Sequence, residues 1–161
     1  MNIVLDTNVF ISGIFWAGEA NKIISLWKEE KFNLIISLEA LTELIRVLKD
    51  FKIKLPNRLI KRWTDLIIRN SKLVIIENKL DIIKEHPADN IFLETALIGN
   101  ADYIVTYDNH LLNLGEFKSI KIIKKSGSWT ILEPGANAPK PRPDLFFRFF
   151  FVEFCFLDTV Q

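Results

Sequence analysis

The chain has 161 residues, of which 49% are hydrophobic and 25% charged, and its formal net charge at pH 7 is +1. This composition is typical of one soluble globular domain and excludes a disordered chain, while the single cysteine, Cys155, excludes an internal disulfide and a multi-cysteine zinc site. The N-terminus lacks the basic segment of a secretory signal and no apolar stretch reaches the roughly 18 residues of a membrane span, so we expect a cytoplasmic protein that does not bind membranes.

The hydrophobic pattern predicts strands and helices that alternate along the chain. The predicted strands are a run ending near Asp6, then 32–37, 72–77 and 103–106, with a weaker strand at 121–124, and the predicted helices are 19–30, 38–49, 56–70 and 87–99. Ser37 is a predicted N-cap, and Pro56 suits the first turn of a helix. This alternation predicts an α/β fold with a central, mostly parallel sheet that is flanked by helices.

The C-terminal part of the chain differs in composition from the rest. Four of the six prolines lie between residues 134 and 143, and seven of the 13 phenylalanines lie between residues 146 and 156. We therefore predict a folded domain over residues 1–133, followed at 134–161 by a proline-rich linker and a phenylalanine-rich tail. The apolar run is too short to span a bilayer, which favours a docking or oligomerising segment.

Four carboxylates lie where catalytic groups often occur in such a sheet. Asp6 and Asp108 follow predicted strands, Asp89 lies near the start of a predicted helix, and Glu43 lies in the helix after the second strand. Ligands of parallel sheets bind beyond the carboxyl ends of the strands, where the strand order reverses. Each acid also has an alternative interpretation as a helix cap, a turn former or an exposed side chain, and Glu43 falls roughly opposite the leucine stripe of its helix.

Three segments in this order carry a family resemblance: LDTNVFISGIF, TELIRVLKD and PADNIFLETALIGNADYIVTYDNHLL. Together they resemble the PIN-domain nucleases, especially the toxin components of toxin-antitoxin pairs, over about residues 1–133. The resemblance implies a PIN-like domain that acts as a metal-dependent ribonuclease and hydrolyses RNA phosphodiester bonds. It also implies RNA as the substrate, with an antitoxin protein and a second copy of the chain as candidate partners.

The same resemblance implies a role for individual residues. The matching acids would form the catalytic metal site, and two further residues would support it: Asp6, Glu43, Asp89 and Asp108, with Asn8 and Thr106. Crowded carboxylates raise one another's pKa unless cations neutralise them, and oxygen ligands favour Mg²⁺ or Mn²⁺ over zinc. The chain departs from the family pattern in Glu85-His86-Pro87, where many relatives have an acid before the proline, and in Thr106-Tyr107-Asp108, where TGD is familiar.

Two other function classes are compatible with parts of this pattern. A phosphoaspartate enzyme would use Asp6 as a nucleophile, but its usual signature resembles DxD and position 8 is Asn8. A catalytically inactive PIN fold would bind RNA or a protein partner, although retention of all four matching acids argues against it. A metal-dependent RNA cleavage assay would discriminate between these classes.

A cationic segment lies between residues 44 and 72, where nine basic residues stand against two acidic ones. Arg58, Lys61 and Arg62 are its candidate RNA-binding residues, because lysine and arginine neutralise backbone phosphates. The alternative is a solvated helix face whose long side chains merely cover apolar surface.

Overall fold

A computed structural model of the protein describes residues 1–124, 126 and 131–132. The strands are β1 (Asn2–Leu5), β2 (Asn33–Ser37), β3 (Ser71–Val74), β4 (Tyr103–Thr106), β5 (Glu116–Phe117) and β6 (Ile120–Lys124), and the helices are α1 (Thr7–Phe15), α2 (Glu19–Lys28), α3 (Leu38–Asp50), α4 (Asn57–Asn70), α5 (Asn90–Gly99) and α6 (Asn109–Leu112). A 3-10 turn, Pro87–Asp89, precedes α5. The predicted boundary at residue 133 and the predicted tail lie outside the described residues. Within the described part of the chain, no helix has the length and apolar character needed to cross a bilayer.

The six strands form one sheet in the order β3-β2-β1-β4-β6-β5. Every neighbouring pair is parallel except β5 and β6, which confirms the predicted α/β fold with a mostly parallel sheet. From β1 the chain moves outward through β2 to β3 and then returns to β4, on the other side of β1. The strand order therefore reverses between β1 and β4, and ligands of such sheets bind beyond the carboxyl ends of these two strands.

The central strands are buried on both faces. Consecutive residues of a strand point to opposite faces, and Ile3, Val4 and Leu5 of β1 are each at most 4% exposed. Helices must therefore cover both faces of this strand. At the end of β2, the Ser37 hydroxyl accepts a hydrogen bond from the Ala40 N–H at 3.2 Å, which is the predicted N-cap of α3.

Helix α1 lies in a segment where no helix was predicted. Its sequence, TNVFISGIF, is apolar almost throughout, and six of its nine residues are buried, so it lacks the polar face that reveals a helix by periodicity. Strand β3 is shorter than the predicted 72–77, because its only strand neighbour, β2, ends at Ser37, which pairs with Val74. The next residue, Ile75, is 67% exposed.

Helix α5 ends at Gly99 as predicted, but Gly99 itself does not adopt the left-handed backbone conformation that often ends a helix. The left-handed conformation belongs to Asn100, whose φ is 52°. A Cβ on Gly99 would lie 2.2 Å from the Cγ2 atom of Ile35 in β2. The glycine therefore allows the close packing of α5 on the sheet, and its effect is steric.

Candidate active site

The register of β1 and β4 places Asp6 beside Thr106. Leu5 pairs with Val105, and the Asp6 N–H donates to the Val105 carbonyl at 3.0 Å. The Thr106 hydroxyl then donates to Oδ2 of Asp6 at 2.7 Å, while Oδ1 of Asp6 accepts from the Asn8 N–H at 2.9 Å and caps α1. Asp6 is only 2% exposed, so two elements of the buried core fix its carboxylate.

Thr106 also connects Asp6 to Asp108. Its hydroxyl oxygen accepts the Asp108 N–H at 2.9 Å, and Oδ1 of Asp108 accepts the His110 N–H at 2.7 Å and caps α6. The alternative interpretation of Asp6 as a helix cap is therefore correct for one of its oxygens, and Asp108, interpreted as a turn former, also caps a helix. Thr106 hydrogen-bonds to both aspartates, whereas Asn8 contributes its backbone N–H and has an exposed side chain, and the support of a metal site by these two residues stays a prediction from the family resemblance.

Asp89 reaches the same region from a different part of the fold. It ends the 3-10 turn and precedes α5, but its side chain makes no capping hydrogen bond. Within the described residues, its Oδ2 atom is shielded from solvent and has no hydrogen-bond partner. A buried carboxylate oxygen without a donor is costly unless a cation approaches it.

Charge interactions show that the three aspartates lie near one another. Burial is the main cause that raises the pKa of Asp6, and the charge of Asp108 adds to it, while hydrogen bonds from Thr106, Asn8 and Tyr107 oppose it. Burial also raises the pKa of Asp89, followed by the charges of Asp108 and Asp6. We call the region around Asp6, Asp89 and Asp108 the acidic cleft, and negative charge is unfavourable there without a positive ion.

The buried side-chain amide of Asn90, a residue that was not predicted to be important, holds the loop before Asp89. Asn90 is 3% exposed, and its Oδ1 accepts the N–H groups of Ile82 and Ile83 at 3.1 and 2.9 Å. Its Nδ2 group donates to the carbonyls of Ile83 and Pro87, both at 3.1 Å. These four bonds tie residues 82–87 to the first turn of α5.

Two more polar side chains of α5 point inward. Glu94 accepts the Leu80 N–H, and the Thr95 hydroxyl donates to the Ser37 hydroxyl at 2.8 Å. Both are buried in a helix, NIFLETALIG, that is otherwise almost entirely apolar. Polar residues within such a helix are the sequence signal that would have identified Asn90, Glu94 and Thr95 as structural anchors.

Glu43 is not joined to the aspartates by any interaction of the described residues. It is half-buried on α3, makes no hydrogen bond or ion pair within the described part of the chain, and is not among the charges that shift the pKa of Asp6 or Asp89. The structure thus brings three of the four predicted acids together. The role of Glu43 remains a prediction from the family resemblance.

The predicted RNA-binding residues lie on another part of the surface. Arg58, Lys61 and Arg62 are exposed on α4, and Nζ of Lys61 is 2.9 Å from Oδ2 of Asp65. Helix α4 packs against α3 and β3, and β3 is two strands from β1, or roughly 10 Å at ordinary strand spacing. This surface therefore flanks the cleft at a distance.

The donor set suits a hard divalent cation. Among the residues that the structure describes, no three His, Cys, Asp or Glu side chains converge closely enough to enclose an ion by themselves. Mg²⁺ usually keeps several waters and takes only one or two carboxylates together with substrate phosphates. Asp89, whose Oδ2 has no partner within the described residues and whose pKa is raised by the charges of Asp108 and Asp6, fits that mode of binding.

Comparisons with known proteins agree with this fold. Residues 2–110 match the sequence profile of the family described as PIN domain. A crystal structure of VapBC2 from Rickettsia felis, bound to a DNA fragment from its promoter, contains a chain of similar fold, with a TM-score of 0.52 and 16% sequence identity. That similarity covers 77% of this chain and 98% of the other, and at this identity it shows the fold alone. No curated protein gave a significant sequence match.

Proposed function

This chain belongs to the PIN-domain family, whose members are generally nucleases, and from that premise we propose that it is a metal-dependent endoribonuclease that hydrolyses RNA phosphodiester bonds. One observation carries the proposal. Asp6 and Asp108 both hydrogen-bond to the hydroxyl group of Thr106 at the reversal of strand order, and Asp89, whose pKa their charges raise, has a shielded oxygen without a hydrogen-bond partner within the described residues.

The proposal gives these residues two tasks, metal binding and the positioning of the metal-binding carboxylates. Asp6, Asp89 and Asp108 hold Mg²⁺ or Mn²⁺, with Glu43 as the fourth acid that the resemblance implies. When bound, the cation offsets the negative charge of the phosphate and lowers the pKa of a water molecule. Thr106 keeps Asp6 and Asp108 in a fixed relation by donating to one and accepting from the other.

We further propose that the protein is the toxin of a toxin-antitoxin pair. Its motifs resemble those of toxin components, and its fold resembles a chain of the VapBC2 structure. An antitoxin and a second copy of the chain are its proposed partners, and the cytoplasm is its proposed location. Light scattering of the chain alone tests for a dimer, and co-purification with the product of an adjacent small gene tests for an antitoxin.

The activity is tested by RNA cleavage with Mg²⁺, with Mn²⁺ and with EDTA, on single-stranded and structured RNA. We expect cleavage only with a divalent ion, and a loss of orders of magnitude in Asp89→Asn. Asp50→Asn, an exposed acid at the end of α3, is the matched control and should cleave normally. RNA binding without cleavage under all conditions would contradict the proposal and support an inactive PIN fold that acts as a binding module.

A further inference from the structure

His86 and His110 come from different segments of the chain and lie face to face. Their ring centroids are 4.2 Å apart and the ring planes differ by 28°. His86 immediately precedes the 3-10 turn, and His110 lies in α6. The structure therefore pairs two rings from separate segments of the chain, close enough to Asp89 for both to affect its carboxylate.

Each histidine is bonded through its backbone to one aspartate of the site. The Asp89 N–H donates to the His86 carbonyl at 3.0 Å, and the His110 N–H donates to Oδ1 of Asp108 at 2.7 Å. The contact between the two rings therefore joins two short segments, each of which holds one of the aspartates.

The two aspartates differ in how the rest of the fold places them. Asp108 comes two residues after the end of β4 and its N–H donates to the hydroxyl of Thr106 in that strand, so the sheet fixes its position. Asp89 follows residues 75–86, which contain no helix or strand, and Asn90 ties that segment to α5. A contact from this segment to α6 would fix the remaining freedom of Asp89 relative to Asp108.

We infer that the stacked rings of His86 and His110 are a positioning pair that sets the separation of Asp89 from Asp108 and thereby the affinity for the divalent ion. This inference rests on the proposed function. The contact between Glu85 and His110 is secondary, because the Glu85 side chain, 3.4 Å from Nδ1 of His110, is 84% exposed. Flat rings in contact contribute a modest stabilisation, so we expect about a three- to tenfold effect on metal affinity.

The test is the Kd for Mn²⁺ of the metal-free full chain, measured by titration calorimetry at a pH where imidazole is neutral. We expect His86→Ala and His110→Ala each to raise Kd by about three- to tenfold. The double variant should be no worse than either single variant, because both remove the same contact. His86→Phe keeps a flat ring and should restore wild-type affinity, and the control Glu85→Gln should leave Kd within about twofold.

Four outcomes would overturn the inference. If His86→Phe binds Mn²⁺ as poorly as His86→Ala, the imidazole nitrogen is itself required. If the alanine variants keep the wild-type Kd for Mn²⁺ but raise KM for RNA, the histidines contact substrate. If the wild type binds no Mn²⁺, both the proposed function and this inference are contradicted. If the wild type binds Mn²⁺ and every variant has the same Kd, only this inference is contradicted. Thermal melting without metal checks that each variant is folded.

Discussion

The two sides of the acidic cleft are built by different means. Asp6 directly follows β1 and Asp108 comes two residues after the end of β4, and the register of these buried parallel strands places both within reach of one hydroxyl, that of Thr106. Asp89 follows an irregular loop whose position depends on the side-chain amide of Asn90. The strand side should therefore be as stable as the core, while the loop side should be separable from it.

Asp6→Asn should have the largest effect, because it removes charge from the strand side and keeps shape. Asparagine retains an oxygen that can accept the Asn8 N–H, so the cap of α1 should survive. We expect divalent-dependent RNA cleavage to fall by orders of magnitude. Cleavage assays and Mn²⁺ titration measure the loss, and a variant that cleaves normally would remove Asp6 from the site.

The stability of the same variant has a defined pH dependence. Burial raises the pKa of folded Asp6 above its ordinary value of 3.8, so its contribution to stability is fully present below that value and is lost as pH rises through the raised pKa. In the metal-free wild type, the contribution of Asp6 should therefore decrease as pH rises above 3.8. Asp6→Asn should lose less stability and should be the more stable of the two at neutral pH. Melting curves at several pH values, with and without Mn²⁺, test this expectation. It is contradicted if the melting temperatures of wild type and variant change with pH in parallel.

Asn90→Ala should break the loop side. It removes four hydrogen bonds and leaves the buried N–H of Ile83 without its partner. Each buried polar group that loses its partner should lower the free energy of unfolding by about 1–3 kcal/mol. We expect faster hydrogen exchange at residues 82 and 83 and weaker Mn²⁺ binding, with β1 and β4 still protected.

The control for this change is Asn113→Ala, which alters an exposed asparagine at the end of α6. It should leave both exchange and Mn²⁺ binding unchanged. Uniform loss of protection across β1, β4 and the loop in Asn90→Ala would show that the two sides of the cleft unfold as one unit.

Thr106→Val should weaken the strand side by a smaller amount. The change keeps the shape of a buried side chain but deletes the hydroxyl that bonds Asp6 and Asp108, so we expect a loss of about 1–3 kcal/mol in the free energy of unfolding. Thr106→Ser keeps the hydroxyl and should recover most of the Mn²⁺ affinity. Urea denaturation of both variants measures the difference, and equal stability of valine and threonine would contradict the bridging role of this hydroxyl.

Neutralising α4 should have the smallest effect, because that helix is remote from both sides of the cleft. The triple variant Arg58→Gln, Lys61→Gln and Arg62→Gln should bind RNA more weakly. The slope of log K against log salt concentration should become shallower by about 0.7 for each phosphate of single-stranded RNA that these side chains no longer neutralise. Lys61 should contribute less than Arg58, since Lys61 already pairs with Asp65. Lys121→Gln with Lys124→Gln, on exposed positions of β6, is the control. An unchanged affinity and slope would assign the α4 face to solvent.

Much of the fold could be predicted from local patterns. The hydrophobic runs of β1, β2, β4 and β6 are short and bounded by polar or turn-forming residues, and the amphipathic period of α3 and α4 is pronounced. Helix α1 could not be found in this way, because both of its faces are covered and its sequence carries no period. The predicted strand β3 was too long at its C-terminal end, because the observed length of β3 is limited by the end of β2, which is distant in sequence.

The amino-acid sequence by itself determined which acids follow strands, because an aspartate directly after an apolar run must lie at the carboxyl end of that strand. Only the tertiary structure decided that Asp6 and Thr106, 100 residues apart, share a hydrogen bond, and that the imidazoles of His86 and His110 stack. It also decided that Asn90 is buried and that Oδ2 of Asp89 is shielded without a partner in the described residues. The physical reason is that local hydrophobicity sets where along the chain a strand lies, whereas hydrogen-bond partners, burial and the extent of strand pairing depend on strand order and register, which join residues distant along the chain.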